Sequence, residues 1–66
     1  MTGKVKKFLT DKGYGFIQSE EEQGDIFFHY TEIVGEGYRT VCEGQPVEFS
    51  LNENDRGKYA KGIVKL

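Results

Sequence analysis

Tyr14-Gly15-Phe16-Ile17-Gln18-Ser19, the turn Glu20-Glu21-Glu22-Gln23-Gly24, and Asp25-Ile26-Phe27-Phe28-His29-Tyr30 form the stretch on which the fold turns. Side chains alternate between the two faces of a strand, so Gly15 and Ile17 share one face of the first run and Tyr14, Phe16 and Gln18 the other. Ile17 is the natural core residue. In the second run Ile26 and Phe28 point inward, which leaves Phe27 and His29 opposite. Gly24 supplies the positive φ that a tight turn can require, and the two runs pair as an antiparallel hairpin. Pairing gathers Tyr14, Phe16, Phe27 and His29 into one outward cluster of rings.

Three further runs flank this hairpin. Lys4 to Leu9 precedes it and ends at the turn Thr10-Asp11-Lys12-Gly13. Behind it, Thr31-Glu32-Ile33 reads as a single helical turn, followed by a long connection carrying Gly35, Gly37 and Gly44. Pro46 then opens a strand in which Val47, Phe49 and Leu51 alternate with polar neighbours. Asn52 to Gly57 reads as a loop, and Tyr59 to Leu66 as a last strand whose apolar pattern is interrupted by Lys61 and Gly62. Five short strands separated by turn signals predict an all-β barrel or sandwich, formed as one domain over residues 1–66.

Cys42 is the only cysteine and His29 the only histidine, so neither a disulfide nor a histidine–cysteine metal site can be assembled within the chain, and no cofactor is expected. The lone thiol, with polar residues after Met1 and no long apolar segment, predicts a cytoplasmic setting without membrane association. The net charge of −2 is unevenly spread. Residues 1–17 carry Lys4, Lys6, Lys7 and Lys12 against Asp11. Residues 18–55 hold the remaining ten acids against Arg39, and residues 56–66 carry Arg56, Lys58, Lys61 and Lys65 with no acid. If the first and last strands pair, the basic ends present one positive surface that the average conceals.

An exposed patch of flat rings is costly for a soluble chain and calls for an explanation. Every nucleobase has a π face, so rings stack on successive bases of a single strand while lysines beside them attract the phosphates. A second core layer or a protein interface explains the same pattern. The shortness of the chain leaves little material for a second layer.

Lys12-Gly13-Tyr14-Gly15-Phe16-Ile17 resembles the first ribonucleoprotein motif, and Ile26-Phe27-Phe28-His29-Tyr30 the second, in the order and spacing of bacterial cold shock proteins. Gly3-Lys4-Val5-Lys6, Gly35-Glu36-Gly37-Tyr38, Glu43-Gly44-Gln45 and Arg56-Gly57 are similar to that family as well. The resemblance implies a five-stranded antiparallel Greek-key barrel of the oligonucleotide-binding class. On matching positions it implies stacking by Tyr14, Phe16, Phe27, His29, Tyr30 and Tyr38, with Phe8 at their border. Lys6, Lys12 and Arg56 become polar contacts to phosphate or base edges, and Asp25 a hydrogen-bonding partner for a base. The implied partners are single-stranded RNA and DNA, bound by a monomer without a small-molecule substrate.

The chain departs from that pattern in places. Lys7 stands where family members usually carry Trp, so one stacking surface is replaced by a charge that can reach a phosphate. Strict alternation from Val5 would also turn Lys7 into the core, where an unpaired ammonium is very costly, which predicts a bulge near Lys7. Phe28 replaces a smaller aliphatic residue, Lys58 stands where proline is frequent, and Gly62 where asparagine is usual. His29 lacks the neighbours of a metal site or a nucleophile–base pair, so no enzymatic activity is expected. Cys42 reads as a plain loop or strand residue and Glu20-Glu21-Glu22 as a solvated turn. The function expected is that of a passive RNA chaperone holding strands unpaired. The alternative is a transcription regulator or protein-interaction module using the same face.

Overall fold

The computed structural model describes residues 1–35 and 41–66. Five strands, β1 (Thr2–Leu9), β2 (Tyr14–Gln18), β3 (Ile26–His29), β4 (Pro46–Asn54) and β5 (Gly57–Lys65), close into a barrel in the order β1-β2-β3-β5-β4. A short 3₁₀ turn, Tyr30–Glu32, follows β3 and begins one residue before the helical turn expected from sequence. The β1–β2, β2–β3, β1–β4 and β4–β5 contacts are antiparallel, and β3–β5 is parallel. An odd number of strands cannot alternate up and down all the way round a closed ring. One parallel contact is therefore required where the ring shuts.

This topology corrects two expectations. β1 pairs with β2 and β4, while β5 lies between β3 and β4, so the basic first and last strands are not neighbours. The segment read as a loop from Asn52 is mostly strand: Asn52 pairs with Tyr59, Glu53 with Lys58 and Asn54 with Gly57. Only Asp55 and Arg56 remain as the turn, where Asn54 Oδ1 accepts the Arg56 backbone N–H at 2.8 Å. Its polar residues carry no apolar alternation because this arm extends past the core.

The core alternation holds. Val5, Ile17, Ile26, Phe28, Val47, Phe49, Ala60 and Ile63 are buried, none more than 3% exposed. Each large apolar side chain so buried contributes roughly 1.5–3 kcal/mol. Two register irregularities shape this interior. In β1, Val5 opposes Ile17 and Lys7 opposes Phe16, so the strand bulges between them as expected. Val5 and Phe8, three residues apart, both reach inward while Lys6 and Lys7 remain outside. In β5 the register shifts by one residue against Glu48–Ser50 and Gly62 takes a φ of +60°. Ala60 and Ile63 both point inward across this bulge, with Lys61 and Gly62 exposed.

Phe28 is accommodated through Gly15. Phe8, Gly15 and Phe28 lie opposite one another on the inner face of β1, β2 and β3, and the Phe8 and Phe28 rings stack with centroids 5.7 Å apart. A Cβ on Gly15 would meet the Lys7 carbonyl oxygen, and it would lie 2.9 Å from Phe8 Cα and 3.0 Å from Phe28 Cε1. The missing side chain makes room for the larger ring.

Candidate nucleic-acid interface

Directly opposed residues in paired strands present their side chains on the same face. Lys7 opposes Phe16, Phe16 opposes Phe27, Phe27 opposes Tyr59, and Tyr59 opposes Asn52. A single transverse row thus crosses the outer surface of all five strands. Tyr14 and His29 form the adjacent outward pair on β2 and β3. The expected cluster of Tyr14, Phe16, Phe27 and His29 is therefore assembled on one face.

Three of its rings brace one another. Tyr14 and Phe27 have centroids 5.5 Å apart, Phe16 and Phe27 6.1 Å, and Tyr14 and Phe16 6.2 Å. The two contacts of Phe16 are edge-to-face, a favourable arrangement that fixes the rings without burying them. Phe27 remains 40% exposed. A rigid, solvent-facing group of rings loses little conformational freedom when a flat ligand lands on it.

His29 and Tyr30 continue the surface, their rings 4.8 Å apart. The His29 side chain caps the 3₁₀ turn: Nδ1 accepts the backbone N–H of Thr31 at 3.4 Å and lies 3.0 Å from Thr31 Oγ1. The tautomer compatible with an accepting Nδ1 carries its proton on Nε2. Tyr30 is 43% exposed, and its backbone N–H donates to the Gly13 carbonyl, tying the β1–β2 turn to the end of β3.

The charged candidates are distributed around this surface. Lys6 Nζ donates to Asp25 at 3.1 Å, joining two of them in an exposed ion pair. Lys12 is exposed in the turn before Tyr14, and Lys7 is exposed at the β1 end of the transverse row. Arg56 occupies the β4–β5 turn. Phe8 is not part of the outer cluster: it is half-buried on the inner face, against Phe28. Tyr38 lies outside the described residues. Beyond the platform, Lys58 pairs with Glu22, linking β5 to the acidic turn between β2 and β3.

Tyr59 is the residue that sequence reasoning passed over. Its signal was present, since Tyr59 and Lys61 flank the inward Ala60, but the break at Lys61-Gly62 hid the register. Between β3 and the β4–β5 arm runs a groove of about 460 Å³, lined among others by Phe16, Phe27, His29, Arg56 and Tyr59.

A closed five-stranded barrel with this strand order is an oligonucleotide-binding fold. Residues 1–66 match the family described as "'Cold-shock' DNA-binding domain". The chain belongs to the cold-shock domain family, a nucleic-acid-binding family. It is 46% identical to the cold shock-like protein CspE of Bacillus anthracis over 100% of this chain and 97% of the relative. It is 50% identical to the cold shock protein CspB of Bacillus caldolyticus, covering 97% and 96% of the two chains. The solved structure of Drosophila Unr CSD456 is similar with a TM-score of 0.83 and 28% identity, covering 98% of this chain and 26% of that one.

Proposed function

We propose that this protein binds single-stranded RNA and DNA on the outer surface of β2 and β3 and acts as a passive RNA chaperone. The observation that carries the reading is the outward-facing, mutually braced group of half-buried Tyr14 and Phe16 with exposed Phe27. Nucleobases stack on such rings, each stack contributing roughly 1–3 kcal/mol with little dependence on base identity. His29 and Tyr30 extend the stacking surface, Tyr38 is carried over from the family resemblance as a further stacking residue, and Phe8 supports the border from below. Lys7, Lys12 and Arg56 contact phosphates. Lys6 and Asp25 exchange their mutual ion pair for contacts to the strand, at small cost because exposed pairs are weak. The family's description as a DNA-binding domain supports a nucleic-acid partner.

The mechanism requires no energy source. A protein that binds only the unpaired state lowers its free energy by mass action and shifts a hairpin equilibrium toward the open form. The chain works as a monomer comprising one domain, in the cytoplasm, with no small-molecule substrate or cofactor. Titration with several pyrimidine-rich single strands tests the reading, together with melting of a labelled hairpin. Comparable, salt-sensitive binding and a lowered hairpin melting temperature are expected. Binding restricted to one duplex sequence or to a protein would replace this reading with regulation or protein interaction on the same face.

A further inference from the structure

We propose that Tyr59 on β5 is an additional stacking residue and that the groove between it and Phe27 holds one nucleobase of the bound strand. The inference deepens the function proposed above and rests on it. It starts from register. Tyr59 is the parallel partner of Phe27, so the two rings emerge on the same outer face from adjacent strands. Phe27 is already in contact with Tyr14 and Phe16 on its other side. Tyr59 therefore extends the platform across the strand contact at which the barrel closes.

Alternation along β5 agrees with this placement. Ala60 is 1% exposed and faces the core, while Tyr59 is only half-buried and Lys61 exposed. The Lys61 ammonium lies over the Tyr59 ring, 5.7 Å from its centroid, within the reach of a cation–π contact. A base stacked on Tyr59 would bring its phosphate into the neighbourhood of that positive charge. Arg56 supplies a further cation at the groove, with Glu32 and Asn54 on its rim as hydrogen-bonding groups. The volume of about 460 Å³ falls among small-molecule sites, which span roughly 300–1,000 Å³. The chemistry on offer is one flat apolar wall, a second ring and a cationic edge. A nucleotide of a single strand fits that set.

The test uses the intact chain and a short oligothymidylate. In an NMR titration of the unaltered protein, the Tyr59 ring protons shift upfield together with those of Phe27 as the base stacks. Tyr59→Leu weakens binding by roughly 5- to 150-fold, the range one lost stack implies, and Tyr59→Phe recovers the loss by restoring the ring. Ring shifts at Phe27 with none at Tyr59, or unchanged affinity of Tyr59→Leu beside a weakened Phe27→Ala, would overturn this inference and leave the platform reading intact. Absence of binding by the unaltered chain, or unchanged affinity of Phe27→Ala, overturns both. The ring-shift measurement does not depend on any variant folding.

Discussion

At Gly15 the inner face of β2 carries no side chain, and Phe8 and Phe28 stack across the space it leaves. The Lys7 carbonyl and Phe8 Cα are backbone atoms that cannot rotate away from an added methyl group. Gly15→Ala is therefore expected to destabilise the barrel by about 1–3 kcal/mol, read as a lower denaturation midpoint with an unchanged m-value. Lys7 occupies the outer row directly opposite Phe16, where a side chain cannot disturb the core. Lys7→Trp is expected to tighten binding of a pyrimidine strand by about 1–3 kcal/mol through one more stack. It should also make the dependence of log K on log salt shallower by roughly 0.7, the share of one phosphate contact. Unchanged affinity and slope would show that position 7 does not touch the strand.

The Lys58–Glu22 pair joins the last hairpin to the β2–β3 turn, 36 positions away in sequence. Its hydrogen bond and its charge attraction, in that order, hold the Lys58 ammonium above the ordinary lysine value of 10.5. A raised folded-state pKa gives stability that is complete below the unfolded value and lost as pH climbs through the folded one. Thermal unfolding should accordingly show the parent protein ahead of Glu22→Gln at neutral pH, with the gap narrowing above pH 10.5. A gap that persists into stronger alkali would assign the difference to packing. The elements themselves differed in how readily they could be read. β2 and β3 announced themselves because apolar and outward residues alternate without a break from Tyr14 to Gln18 and from Ile26 to His29. The β1 bulge was also legible, since burying Lys7 was physically prohibitive. The β4–β5 arm was not, because a hairpin that extends beyond the core has no buried face to record its register. Gly62 compounded this by moving Ile63 three places from Ala60 rather than two.

Charge over the whole molecule is better described by location than by the net value of −2. The cations proposed to meet phosphates, Lys7, Lys12 and Arg56, come from the bulged strand, the first turn and the last hairpin turn, and so surround the rings from separate parts of the chain. Three phosphate contacts on a single strand predict a slope of roughly −2 for log K against log salt, measurable by titration at several salt concentrations. A slope near zero would mean that stacking acts without backbone contacts. Sequence reading recovered the rings of β2 and β3 as one surface because a hairpin brings them together locally. It missed Tyr59 because β3 and β5 are distant in sequence, and nothing local announces a neighbour reached only when the ring of strands closes.

Among the described residues, the Phe27–Tyr59 register and the Ile33–Ile63 bridge are the parallel contacts along that closure. A polynucleotide lying across both rings would span the joint like a suture. Amide protons of β3 and β5 at this line should then exchange more slowly in the bound protein, and the ligand would complete the barrel that binds it.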